Sequence, residues 1–315
     1  MGPITESDID WQNKHNSMPR IIGSLIHAMV HTRPDIAFAV SLLSRSMSKP
    51  EPYHFKACRY LLCYLRATQD LCIVHDRCNM MAAAPHFLQA FVDSSFGDCE
   101  ITARSTSGFV VSFGGSPVEW EAKRQSLVTM STMESEYVAA SKCVSSILYL
   151  QKLMDFLRIE RSTQPVVCWE DNAACIAISS APPGVHRSRS KHIAVKYHNV
   201  RENCESGNVV LSQIWTEHQV ADIFTKSLTI KPFQRFREVL LGTKTLDEMM
   251  QEHMQPQKSS LKKTARVVPN PVCCKRCRLQ VAQKPYEPNY LAPWPYKAVP
   301  IVVGSLVGQL IGTSG

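Results

Sequence analysis

An α/β fold is predicted for residues 86–243, and three observations predict it. Apolar runs of strand length alternate with helical stripes in the order β-β-β-α-β-α-α-β-α, the pattern of a sheet covered by helices. The first three strands follow one another through short connections, whereas helices separate the later ones, so a meander passes into parallel crossovers. The run 165–171 shows little apolar–polar alternation, as a central strand buried on both faces requires.

Taken in order, residues 1–18 are polar and expected to form a flexible N-terminus. Residues 21–30 then read as a buried helix. Pro34, in a first turn, starts a second helix with Ile36, Ala39, Val40 and Leu43 as its stripe. A third begins near Pro52 and carries Phe55, Cys58, Leu61, Leu62 and Leu65. These helices make a unit over 19–75, and a break follows at 76–85. Residues 86–94 form a buried strand that ends in the acidic turn Asp93-Ser94-Ser95-Phe96-Gly97-Asp98. The runs 108–113 and 118–121, joined through Gly114-Gly115-Ser116-Pro117, read as a hairpin. Ser131 with Glu134 three residues on is a capping box. It opens a long helix whose stripe is Tyr137, Ala140, Val144, Ile147, Leu150, Met154 and Leu157. After the central strand come a helix from 172 to about 180 and, beyond Pro182-Pro183-Gly184, a basic helix over roughly 191–205. Residues 208–215 are the last strand. Thr216 and Gln219 make a second capping-box pattern, predicted to open a helix containing Asp222, and a terminal helix covers about 232–241. The stretch 244–315 is rich in Lys, Pro and Gln without a period and is expected to be a mostly disordered tail.

At 315 residues the chain can hold more than one structural unit. Its 44% hydrophobic and 20% charged residues are globular values. A net charge of +8 permits a polyanionic partner without requiring one. Twelve scattered cysteines with no signal peptide point to reduced thiols, in the cytoplasm or nucleus. The apolar run 298–312 is glycine-broken and too short to span a membrane, so no membrane segment is expected. The lone Cys274-Lys275-Arg276-Cys277 has no second ligand pair and is not read as a zinc site.

Four carboxylates carry the functional question. Asp93 and Asp171 sit at strand ends, where α/β sheets place ligands. Glu136 and Asp222 lie early in segments that pack their starts against the same edge. Taken singly, each has a plain structural use: Asp93 as a turn former, Asp171 as an N-cap, Asp222 as a first-turn acid. Glu134 is occupied by the capping box, which leaves Glu136 as the free acid of its helix. Gathered together, four carboxylates cannot all stay ionised without cations between them. Hard divalent ions suit oxygen ligands, Mg²⁺ above all with Mn²⁺ as the alternative. Two such ions, about 3.5–4 Å apart, activate a water and stabilise the leaving oxygen of a phosphodiester.

Several blocks occur in order: Phe91-Val92-Asp93-Ser94-Ser95, Arg104-Ser105-Thr106-Ser107-Gly108, Ser131-Thr132-Met133-Glu134-Ser135-Glu136-Tyr137, Glu170-Asp171-Asn172, Lys191-His192-Ile193 and Gln219-Val220-Ala221-Asp222-Ile223-Phe224-Thr225-Lys226. Over 86–243 this resembles the ribonuclease H domain of copia-type LTR retrotransposon Pol polyproteins. Upstream, Gly23-Ser24-Leu25 and Thr32-Arg33-Pro34-Asp35-Ile36-Ala37 resemble the end of the reverse transcriptase in those polyproteins. The resemblance implies a ribonuclease H-like five-stranded mixed sheet flanked by helices. It implies Mg²⁺-dependent endonucleolytic hydrolysis of the RNA strand of an RNA–DNA hybrid, with Asp93, Glu136, Asp171 and Asp222 as the catalytic, metal-holding acids. The pattern departs from the family at Ala194, which stands where an acid is usual, and no Tyr-x-Asp-Asp polymerase motif is present. The chain therefore reads as a retrotransposon-derived fragment.

A hybrid is read through backbone and 2′-hydroxyl contacts. Arg104, Ser105, Lys123, Arg124, Lys191, His192 and Arg201 are the candidate nucleic-acid contacts, with a solvated basic face as the even alternative for any one of them. His218, four residues before Asp222, is placed one helical turn from the site. The rival reading is a catalytically inactive nucleic-acid-binding relic or domesticated interaction protein. A transposase or integrase usually orders its acids Asp, Asp, Glu; here Glu136 comes second, which argues against strand transfer.

Overall fold

The computed structural model describes residues 6–75, 88–159, 161–180 and 191–254. Expectations for 76–87, 181–190 and 255–315, including Cys274 and Cys277, lie outside the described residues. Five strands are present among the described residues: β1 (Leu88–Ser95), β2 (Thr106–Phe113), β3 (Ser116–Arg124), β4 (Val166–Glu170) and β5 (Val209–Gln213). They lie in the order β3-β2-β1-β4-β5. β1–β2 and β2–β3 are antiparallel, β1–β4 and β4–β5 parallel. This is the five-stranded mixed sheet flanked by helices that the ribonuclease H resemblance implies. The hairpin turn is tighter than the four-residue turn expected. Gly114 and Gly115 alone close it, at φ 58° and 80°, the left-handed backbone a two-residue loop demands.

The helices are α1 (Glu6–His31), α2 (Ala37–Ser44), α3 (Pro52–Ala67), α4 (Thr132–Phe156), α5 (Ala173–Ser179), α6 (Lys191–Glu205), α7 (Ile230–Leu240) and α8 (Leu246–Met254). Strand parity divides the core. Leu88, Ala90 and Val92 of β1 face Tyr137, Ala140, Val144 and Ile147 of α4, with Cys175 and Val200 beside them. Phe91 and Val110 face the opposite way, onto Val220, Phe224 and α7 residues Phe236, Val239 and Leu240. No helix among the described residues is long and apolar enough to cross a membrane.

Two boundaries differ from expectation. α1 begins at Glu6, inside the stretch expected to be flexible, and Met18 is buried in the helical core with Ile22 and Leu25. α8 lies inside the expected disordered tail. Thr245 and Glu248 cap it reciprocally, Glu248 N donating to Thr245 Oγ1 (3.2 Å) and Thr245 N to Glu248 Oε2 (2.8 Å). Met249 is fully buried and anchors it.

The helical unit α1–α3 is seated on the sheet unit. Trp120 Nε1 donates to Met29 O (2.9 Å), Val74 N to Leu241 O (2.8 Å), and Arg45 Nη2 to Thr106 Oγ1 (2.9 Å). A buried Arg33–Asp35 pair (2.8 Å) holds Tyr64, whose hydroxyl donates to Asp35 (2.6 Å) and accepts from Arg237 of α7 (3.1 Å). A buried pair of this kind fixes geometry more than it stabilises, because desolvation offsets much of its attraction.

Candidate active site

β1 and β4 pair only as far as Phe91 and Trp169. Asp93 and Asp171 each lie two residues further on, so the register sets them side by side where the strands part. Gln219 occupies the crevice: its buried amide donates to Val92 O (2.9 Å) and Trp169 O (3.4 Å). Tied down in this way, 216–224 is not the helix the capping-box pattern predicts. It forms two short 3₁₀ turns, Thr216–His218 and Val220–Phe224, divided at Gln219. His218 is buried in the first turn, and its spacing to Asp222 is no longer one α-helical turn.

Ligand oxygens of Asp93, Glu136 and Asp171 lie within 4.8 Å of one another. Asp93 and Glu136 are buried and Asp171 is half-buried. The plain structural uses of these acids are taken by neighbours. Asn172, not Asp171, caps α5, accepting from Ala174 N (3.0 Å) and Cys175 N (3.1 Å). Ser131 caps α4 through Glu134 N (3.2 Å), while the Glu134 carboxylate accepts from Met130 N (2.7 Å). Glu136 is left facing the sheet, and its Oε2 is buried with no hydrogen-bond partner. Ser94 donates to Ser135 (2.8 Å), pinning the end of β1 to the start of α4. Thr216 donates to Asp171 Oδ2 (2.8 Å).

Asp222 stands slightly apart and is joined through Lys226. The Lys226 ammonium lies 2.8 Å from Asp222 Oδ1 and 3.2 Å from Asp93 Oδ1. Thr225 also donates to Asp93 through its hydroxyl. Sequence reasoning missed both residues. The signal was Lys226 at the fourth position after Asp222, a spacing at which side chains meet. It also missed Glu170, which is fully buried behind Asp171; its Oε1 accepts from Asn172 N (3.0 Å) and its Oε2 has no partner.

Burial and crowding raise four of the acids here. Burial raises Asp93 above the usual carboxylate range, against the pull of Lys226 and Thr225. Burial, with repulsion from Glu170, Asp93 and Asp171, raises Glu136 well above it. Burial lifts Glu170 to about 8, and burial with the Asp93 charge lifts Asp222 to about 7. Burial alone lowers Lys226, but Asp93 and Asp222 outweigh it and hold the ammonium above its ordinary value. A set of carboxylates that repel one another, with Glu136 Oε2 and Glu170 Oε2 buried and unpartnered, fits a hard divalent cation.

The basic candidates separate. β3 ends at Arg124, opposite Thr106 of β2, which in turn pairs with Ser95 at the end of β1, so Lys123 and Arg124 share the sheet end that carries the acids. Lys123 is exposed; Arg124 donates to Cys99 Sγ (3.4 Å), and Arg104 is half-buried in the same loop. Ser105 is fully buried; it accepts from Gly97 N (3.1 Å) and pairs with Thr129 (3.1 Å), and so braces the loop. The side chains of Lys191 and His192 lie outside the described residues. Arg201 is ten residues down α6, about 15 Å from the start of the helix, and is turned to Glu205 (3.5 Å) and His198 (3.1 Å).

Gly108 of β2 sets how closely the Asp222 turn can approach. A Cβ there meets Phe224 Cβ at 2.6 Å and Thr225 Cγ2 at 2.7 Å. Gly108→Ala is therefore expected to destabilise the protein by about 1–3 kcal/mol in urea unfolding, and to weaken divalent-ion binding by displacing Thr225 and Asp222. Wild-type stability and binding in that variant rule out the close approach.

No family model matches the chain. It is 30% identical over 219 residues to the retrovirus-related Pol polyprotein from transposon TNT 1-94 of Nicotiana tabacum, covering 70% of this chain and 16% of that protein. It is 34% identical over 216 residues to the corresponding polyprotein from transposon RE1 of Arabidopsis thaliana, covering 69% and 14%. The chain thus spans about a sixth or less of the length of these two polyproteins. Ribonuclease H1 of Halobacterium salinarum NRC-1 aligns with 44% of this chain and 93% of its own, at 13% identity and a TM-score of 0.32.

Proposed function

Because the chain belongs to the copia-type Pol polyprotein family, as a homologue of one stretch of it, we propose that it hydrolyses the RNA strand of RNA–DNA hybrids internally, with a divalent metal. The observation that carries this is the convergence of Asp93, Glu136 and Asp171 within 4.8 Å at the sheet edge where β1 and β4 part. These three would hold the metal, Mg²⁺ by the hardness of its carboxylate donors, and the ion supplies water activation and charge stabilisation at the phosphodiester. The protein's own residues supply the rest. Ser94 and Ser135 lock strand end to helix start, and Thr216 orients Asp171, the most accessible of the three. Lys123, exposed at the same end of the sheet, would meet substrate phosphates.

The test is cleavage of end-labelled RNA in a hybrid duplex with Mg²⁺, against EDTA and against Asp171→Asn. Wild type is expected to cut the RNA strand only with metal, and Asp171→Asn at least about a hundredfold more slowly. Equal cleavage by both proteins, or none by either, rejects the assignment.

A further inference from the structure

We propose that Lys226 is a built-in cation that restricts the resting site to a single tightly bound divalent ion. This rests on the nuclease reading and concerns how many ions the same site holds. Among the described residues the mutually close donors are Asp93, Glu136 and Asp171. The Asp222 and Asp93 carboxylates share the Lys226 ammonium, at 2.8 Å on one side and 3.2 Å on the other. That nitrogen holds the position a second cation shared by Asp93 and Asp222 would need. It lies four residues after Asp222, just beyond the Val220–Phe224 turn, where Lys226 N donates to Asp222 O (3.0 Å), while Thr225 fixes the other oxygen of Asp93. The Lys226 side chain is 36% exposed, so it can leave toward solvent without unfolding the turn. A second divalent ion then binds by displacing it, and like-charge repulsion sets the cost. Lys226 is a positioning residue that acts through Asp93 and Asp222.

The experiment is Mn²⁺ titration of the full chain, free Mn²⁺ being read by electron paramagnetic resonance, for wild type, Lys226→Met and Lys226→Arg. Wild type is expected to bind one Mn²⁺ tightly. Lys226→Met is expected to bind two, the second at least about tenfold tighter than in wild type, and Lys226→Arg to restore one. Two equally tight ions in wild type overturn the proposal whatever the variants do, and so does a single tight ion in a folded Lys226→Met. If hybrid cleavage persists in either case, the nuclease reading stands without it. No bound ion in any form overturns both.

Discussion

Glu136→Gln is expected to abolish metal-dependent cleavage and, in the same protein, to raise the stability of the metal-free fold. The carboxylate is buried in the second turn of α4 and faces Asp93, Glu170 and Asp171, and its Oε2 is unpartnered. Glutamine keeps its shape and removes the charge that burial and these neighbours oppose. Relief of that strain is expected to add about 1–3 kcal/mol in urea unfolding at pH 8 in EDTA. Losing a metal-holding charge removes several kcal/mol from the transition state, and at a decade per 1.36 kcal/mol the rate falls at least about a hundredfold. A substitution that merely damages the helix lowers stability and activity together. Opposite signs mark a residue kept for function at the expense of the fold. If Glu136→Gln is less stable than wild type in EDTA, the acids are not in conflict and the metal reading of the site fails.

The same conflict explains what could be read from the chain before the fold was seen. Strand and helix order follow from local rules, because period, capping at Ser131 and the Gly114-Gly115 turn are short-range signals. The pairing of Asp93 with Asp171 was legible too, since both end apolar runs destined for adjacent strands. The 3₁₀ turns of 216–224 were not. Their local pattern is a sound helix start, and what overrides it is one glutamine side chain bonded to two strands 127 and 50 residues away. Glu170 and Lys226 were missed for a related reason. A sequence shows that a charged residue is near a site, but whether it is buried behind the site or spans it depends on depth. The caps of α8 were present as Thr245 and Glu248, masked by a polar, period-free stretch on their far side.

Metal-free protein is expected to lose stability as pH rises from 5.5 to 8, and divalent metal is expected to restore it. Glu170 titrates at about 8 and Asp222 at about 7, with Glu136 and Asp93 raised as well, whereas unfolded carboxyls titrate near 4. The folded protein therefore holds protons that the unfolded chain has released. Its stability advantage is complete at low pH and is lost as pH climbs through the folded values. Each proton retained contributes about 1.4 kcal/mol per pH unit across that window. Lys226 and Asp171 face the same groups; Lys226, held cationic above its ordinary value, does not titrate in the window. His54 works the other way just below the ordinary histidine value, because burial lowers its pKa. Cys58, pushed to about 11 by burial, enters only above pH 8. At Cys99 burial is outweighed by hydrogen bonds to Thr102 and Arg124, which bring the thiol down to about 7; it works in the same direction as His54 at the top of the window and also lies outside the acid cluster. Neither His54 nor Cys58 belongs to the acid cluster, so the difference between thermal melts in EDTA and in Mg²⁺ isolates the carboxylates. That difference is expected to widen steadily toward pH 8 in wild type and to shrink in Glu136→Gln. A gap that stays constant with pH means that the ion, if it binds, does not replace protons on these acids, and the electrostatic account of the site is then wrong.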